Sequence, residues 1–438
     1  MKIMKNLLFR KSPAVLLLAS LISTASAQPV SRPETVGISS ERLGRLDRVM
    51  QTYVDEDKIA GVVTLVARKG QIVHLQATGF QDKESGTRMR TDSLFRMYSM
   101  TKPVTSVALL TLYERGYFQL SDPLEKYIPA FKNVKVFKEL DDKGNMVLVK
   151  PDRKITIRDV FTHTAGFGYG NDNTPVDKAY RKAGISEFSE SLKDMVKKIA
   201  AMPLRFQPGT RWHYSYSYEV LAYLVEVLSG MPFQQYVSKN IFKPLGMKDS
   251  SFGVPDGKLN RYTSMYSPPG YGEGGPPVTL EMRSGLERLE SAKNSHYLKA
   301  GKYPGGGSGL ISTAEDYYRF SQMLVNGGVY NGVRILSPET VKLMTGAHVP
   351  MGFPGVPDLL MRGEGYGLGV SVMVDITRHG NLGSNGEFGW AGAASTYVIM
   401  DPKENMVSIL LVQYKPALLL LQRQFQTLVY QAVIDSNM

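Results

Sequence analysis

The strand-forming runs of this chain sit near its two ends, and that separation constrains the fold more than any other feature. Gly61-Val62-Val63-Thr64-Leu65-Val66-Ala67 and Gln71-Ile72-Val73-His74-Leu75-Gln76-Ala77 flank Arg68-Lys69-Gly70. Two β-rich runs around a glycine turn predict a hairpin. Strand character returns at Gly365–Val374, Ala394–Met400 and Asn405–Tyr414, with Asp401-Pro402-Lys403-Glu404 as a turn. From about residue 120 to 345 the periodic segments are helical, among them Glu187–Ala200, Ser217–Leu228, Pro232–Ile241 and Ala314–Leu324. A helix is predicted over Ser39–Asp55, with apolar residues at Leu43, Leu46, Val49, Met50 and Val54, and another from Pro416 to Ile434. Strands at both ends and helices between imply one sheet built from both termini, with a helical insertion. The expected division is a sheet region over about 35–100 plus 350–438 and a mostly helical region over about 101–349, together one domain spanning 28–438.

The 438 residues are 43% hydrophobic and 21% charged, an ordinary globular balance with ample length for a large core. Lys2, Lys5, Arg10 and Lys11, the apolar stretch Ala14 to Ile22 and Ala25-Ser26-Ala27 read as a secretory signal over residues 1–27, cleaved before Gln28. The apolar stretch is too short to span a bilayer, so no stable membrane insertion is expected after its removal. The formal charge of +12 loses those four basic residues, leaving 48 basic against 40 acidic, or +8. The excess is spread without blocks, which argues against a nucleic-acid partner. There is no cysteine, which excludes a disulfide scaffold, a thiolate nucleophile and cysteine-ligated zinc. With a bacterial-looking signal the expected location is periplasmic or secreted. His74 lies within a predicted strand and reads as structural. The Pro/Gly-rich stretch 267–277 reads as a surface loop.

Three segments bear on chemistry. The first is Phe95-Arg96-Met97-Tyr98-Ser99-Met100-Thr101-Lys102, which leads into the apolar helical run Val107–Tyr113. A serine at the first turn and a lysine three residues on share one helix face. A serine hydroxyl is inert until a neighbour takes its proton, and a lysine can do so. Alone, Ser99-x-x-Lys102 also fits a solvated helix start. The second segment is Gln207–Ser217, where Tyr214 precedes a helix. Its hydroxyl could share the serine's proton, although a packed aromatic fits equally. The third is Gly386-Glu387-Phe388-Gly389-Trp390-Ala391-Gly392-Ala393-Ala394-Ser395, small residues entering a strand, where a backbone N–H can complete an oxyanion hole.

In this order the three segments resemble the boxes of the serine β-lactamase and penicillin-binding-protein superfamily, class C-like branch. Asp122–Pro129, Phe161–Phe167, Ile241–Phe252 and Gly306–Tyr317 resemble its recurrent segments, so the resemblance covers roughly residues 35 to 435. It implies a β-lactamase/transpeptidase-like α/β (α+β) fold, with an antiparallel sheet flanked by helices. It implies Ser99 as nucleophile, Lys102 as the lysine that helps deprotonate it, and Tyr214 as proton shuttle. Trp390-Ala391-Gly392 takes the place of the Lys-Thr-Gly box, so Ala393 would supply the second oxyanion N–H beside that of Ser99. Two residues depart from the pattern. Tyr216 stands where an Asn helps orient a β-lactam side-chain amide, and Trp390 where a Lys helps bind its carboxylate. A tryptophan in the third box is similar to the family VIII carboxylesterases. The expectation is therefore an exported serine carboxylesterase acting on a small-molecule ester through an acyl-serine, with Trp390, Gly392, Ala393 and Tyr216 binding substrate. Some family VIII members also cleave cephalosporins slowly, so a weak β-lactamase side activity belongs to it. No cofactor and no metal are implied. The alternatives are a β-lactamase, D-amino peptidase or acyltransferase on the same site, or a catalytically inactive cell-wall-binding relative.

Overall fold

The computed structural model describes residues 30–185, 191–271, 278–279, 283–298, 304–357 and 361–436. The expected signal segment and positions 272–277 of the Pro/Gly-rich loop lie outside them. The first long helix, α1 (Ser40–Asp55), is capped by the Ser39 side chain, which accepts from Arg42 N, the usual device for an orphan helix N–H. The predicted hairpin follows as β1 (Gly61–Arg68) and β2 (Gln71–Asp82). Lys69 and Gly70 turn it with φ of 52° and 75°, the left-handed pair that a two-residue hairpin needs. A short β3 (Thr87–Arg88) pairs with β2. The helical middle contains α2 (Thr101–Glu114), α3 (Leu192–Ala201), α4 (Ser217–Ser229) and α5 (Ala314–Val325). The chain returns to strands as β4 (Glu364–Tyr366), β5 (Ser371–Met373), β6 (Phe388–Ala391), β7 (Tyr397–Asp401) and β8 (Met406–Val412), then closes with α6 (Leu419–Tyr430).

These strands form one antiparallel sheet of order β4-β5-β6-β7-β8-β1-β2-β3. Its seam joins the two ends of the chain, with Val62 opposite Val412 through to Arg68 opposite Met406. Every residue of β1 is buried, because helices cover both faces. Val62 and Val66 pack with α1 and α6, while Val63, Leu65 and Ala67 pack with α2 and α5. That two-sided burial is why β1 reads as a continuous apolar run. Twelve of the fourteen residues of α2 are buried, so it is a central helix enclosed on all sides.

Several expected boundaries are corrected. The run Gly365–Val374 is a hairpin rather than one strand, because the chain turns at Gly367–Val370, where Gly367 N bonds Val370 O and Gly369 has φ of 94°. The third box is itself a strand, β6, followed by a turn in which Ser395 has φ of 63°. Helix 187–200 is described from Leu192, and helix 232–241 breaks at Val237 into a π-helical turn, Ser238–Phe242. The last helix is shorter than the expected 416–434. The helical middle also carries the hairpin Val136–Leu140/Met146–Val149 and the pair Met265–Ser267/Glu287–Glu290. His74 is buried and bonded to Thr64 Oγ1 at 2.8 Å, a structural role.

Candidate active site

Ser99 lies in the 3-10 turn Tyr98–Met100 just ahead of α2, two residues before the α-helix whose first turn the spacing predicts it to occupy. Tyr98 holds that turn in a left-handed conformation, φ 46°, which for a bulky residue stores about 1–2 kcal/mol of strain. It is pinned by its carbonyl, which accepts from Thr101 Oγ1 at 2.6 Å, and by its ring, under Lys415 Nζ at 4.4 Å. From the first turn of α2, Lys102 reaches back to donate to Ser99 Oγ at 3.2 Å and to Gly307 O at 2.8 Å. Its Nζ also lies 4.6 Å from the centre of the Tyr214 ring.

Tyr214 arrives on the loop before α4. Two contacts fix this loop: Trp212 N bonds Pro354 O and His213 N bonds His163 O. The Tyr214 hydroxyl donates to Ser99 Oγ at 2.6 Å. The sequence-predicted lysine and tyrosine are thus both brought within hydrogen-bond reach of the serine, from two helix starts. His163, buried and at φ 57°, packs its ring 4.7 Å from that of Tyr214. Burial, reinforced by the Lys102 charge, pushes the imidazole well below its ordinary range, so it is a neutral backing plate.

The third box closes the other side. Trp390 stacks on Tyr214 at 6.1 Å and meets Tyr366 edge-on at 5.2 Å. Past it, the chain at Gly392 presses on the backbone that precedes Ser99. A Cβ there would stand 2.1 Å from Thr396 Oγ1 and 2.5 Å from Met97 O. Ser99, Tyr214, Trp390, Gly392 and Ala393 all line one cavity of about 440 Å³. Among the described residues, the Ala393 N–H makes no backbone hydrogen bond.

Tyr216 does not belong to that lining. It is 7% exposed and stacked between Tyr169 (4.5 Å) and Tyr180 (6.4 Å). An aromatic ring at this position finds its partners in the core, and Tyr169 presents the face that lines the cavity. Sequence reasoning missed Tyr169, which carries no motif of its own. It also missed Glu364, a cavity-lining carboxyl pushed up to about 8 by burial and by Glu387. Asp172, Asp177 and His213 bring donor atoms within 4.8 Å of one another at the same cavity. Their spacing in sequence gives no ligand set. Arg205 ion-pairs with both aspartates, and Asp177 also accepts from Gly170 N. Those lone pairs are used, and the group is a salt-bridged rim.

Comparison with known proteins gives this arrangement its context. EstB, an esterase of Burkholderia gladioli, is 31% identical over 363 residues, which is 80% of this chain and 84% of that protein. The solved structure of EstCE1, described as a hydrolase with promiscuous acyltransferase activity, matches with a TM-score of 0.74 and 25% identity. That match covers 90% of this chain and 99% of the other. Simvastatin synthase of Aspergillus terreus shares the fold, with a TM-score of 0.75 at 22% identity over 90% and 98% of the two chains. The Beta-lactamase family model matches residues 46–428, and the chain therefore belongs to the β-lactamase family of serine enzymes.

Proposed function

We propose that this enzyme hydrolyses carboxylic esters through an acyl-Ser99 intermediate. The observation that carries the proposal is the contact set at Ser99 Oγ, with Tyr214 at 2.6 Å and Lys102 at 3.2 Å, in a cavity walled by Trp390 where the lactam-cleaving pattern has a lysine. Ser99 Oγ attacks the ester carbonyl and passes its proton to the Tyr214–Lys102 pair. The oxyanion of the tetrahedral intermediate takes hydrogen bonds from the N–H groups of Ser99 and Ala393, each worth roughly 3 kcal/mol. Collapse breaks the ester C–O bond, and the alkoxide leaves with the proton held by the pair. Water then attacks the acyl-serine by the same relay, releasing the acid and free Ser99. An indole offers no charge for a β-lactam carboxylate, and its apolar face suits uncharged acyl or aryl groups. The likeness to the esterase EstB supports the same choice.

The test is a parallel assay of p-nitrophenyl acetate, butyrate and octanoate, and of nitrocefin, with wild type and Ser99→Ala. The expected result is ester turnover that the substitution abolishes, with nitrocefin slow or silent. Fast nitrocefin turnover would make the protein a β-lactamase. Silence on every substrate would move weight to a peptidase or a binding protein, and acyl transfer to an added alcohol in place of hydrolysis would make it a transferase. Export is part of this proposal, and N-terminal sequencing of the protein from its own cell should start at Gln28.

A further inference from the structure

Glu219 lies on α4, is 1% exposed and does not line the cavity. A carboxylate this deep persists only where hydrogen bonds satisfy it. Its two oxygens accept from two consecutive backbone amides, Gly306 N at 2.7 Å and Gly307 N at 3.1 Å, the nest that backbone N–H groups form around an anion. The Gly306–Gly307 peptide is held at both poles, because the Gly306 carbonyl accepts from Thr105 Oγ1 at 2.7 Å. The next carbonyl along, Gly307 O, is the one that accepts from Lys102 Nζ at 2.8 Å.

The glycines make this approach feasible. A Cβ on Gly306 would stand 2.3 Å from Tyr218 O and 2.5 Å from Ala222 Cβ. One on Gly307 would stand 2.7 Å from Glu219 Oε1 and 3.3 Å from Lys102 Nζ. The carboxylate and the ammonium nitrogen therefore lie within about 6 Å of each other, and the loop backbone is bonded to both. From these contacts we infer that Glu219 is a positioning residue for Lys102. It clamps the glycine loop so that Gly307 O anchors the lysine beside Ser99. The inference rests on the acyl-serine reading above, with Glu219 acting through the loop backbone. Glutamine would fill the same volume, but it offers one acceptor and turns a donor toward the second amide, leaving that N–H unpaired.

The test is a double-mutant cycle read by covalent labelling of Ser99 with a fluorophosphonate, which needs no knowledge of the natural ester. Four proteins are compared: wild type, Glu219→Gln, Lys102→Ala and the double variant, each checked for folding by thermal melting. If Glu219 acts through Lys102, Glu219→Gln slows labelling about 10- to 100-fold in the wild-type background, the scale of one buried donor left unpaired, and less than about 2-fold once Lys102 is gone. Glu219→Asp, which keeps the charge but shortens the reach, should fall between wild type and Glu219→Gln, and it replaces that variant if glutamine prevents folding. Equal slowing in both backgrounds, or no slowing in a folded variant, would overturn the inference and leave the nucleophile standing. A wild type that the probe does not label would overturn the acyl-serine reading and this inference together.

Discussion

At Ser99 Oγ the nearer partner is Tyr214, whose hydroxyl donates at 2.6 Å, and Lys102 is the more distant at 3.2 Å. The tyrosine ring is held on three sides, by His163, Tyr169 and Trp390, so deleting its hydroxyl removes the relay without moving the ring. Tyr214→Phe should lower kcat by about 10²- to 10⁴-fold, the usual contribution of a positioned acid–base group, with KM within a factor of about 3. Steady-state kinetics on p-nitrophenyl butyrate tests this, and an unchanged kcat would give the proton to Lys102 alone. In the proposed mechanism Trp390 acts on binding instead. Its flat face forms cavity wall, and aromatic contacts contribute about 0.5–1.5 kcal/mol each. Trp390→Ala should therefore raise KM for phenyl esters by about 5- to 10-fold and leave small aliphatic esters nearly untouched. Equal effects on both ester classes would mean that the indole serves packing only. These residues differ in how far the sequence discloses them. Ser99, Lys102, Tyr214 and Trp390 sit in boxes with fixed order and spacing. Tyr169 and Glu219 carry no local pattern, and what singles them out is contact with residues far along the chain. Tyr216 shows the converse error: its place in a box suggested a substrate contact, but stacking against Tyr180 and Tyr169 turns it into the core.

Among the elements, the site depends on two helix starts and one strand meeting at the right separation. Periodicity located α1, α4 and α5 closely, since a half-buried helix advertises its apolar stripe. The hairpin β1–β2 was equally legible from its turn. The region 365–400 was not, because strands of three to five residues separated by glycine turns carry too little alternation to set boundaries. The partner relations were also hidden, since hydrogen bonds such as Thr396 Oγ1 to Met97 O at 3.2 Å span some three hundred residues. This contact sits at the joint where the turn after β6 leans on the segment that carries Ser99. Gly392→Ala would drive a methyl toward Met97 O, and the neighbours at that point are backbone and a short hydroxyl side chain, neither free to swing away. The expected outcome is a stability loss of about 1–3 kcal/mol, as for other overpacked sites. A fall in kcat/KM of about 100-fold should accompany it, the scale of an ångström of misplacement in catalytic geometry. Denaturant unfolding and ester kinetics on one preparation measure both, and full activity in the variant would show that this joint does not hold Ser99 in place.

Across the whole molecule, the buried ionisable groups set a pH dependence whose sign follows from their directions of shift. Burial pushes His213 down to about 4 and His163 well below its ordinary range. The unfolded chain takes up protons there from pH 6.5 downward that the folded chain refuses, so these rings destabilise the fold as pH drops below 6.5. The carboxyls act in the opposite sense. Burial raises Glu364 to about 8, Glu387 to about 7 and Asp316 to about 6. The folded chain then keeps protons that the unfolded chain releases above its ordinary carboxyl range. Their contribution is complete at low pH and is lost as pH rises through the folded values. Between pH 6.5 and 8 the unfolded chain's histidines release their last protons, which raises stability, while the raised carboxyls lower it. Across that interval Glu364 should therefore subtract at most about 2 kcal/mol from the stability. Glu364→Gln holds that position neutral at every pH, so its melting temperature should gain on that of wild type from pH 6.5 to 8. Parallel melts of the two proteins in buffers of constant ionic strength decide the matter: two curves of equal slope would show that Glu364 is already ionised in the folded enzyme.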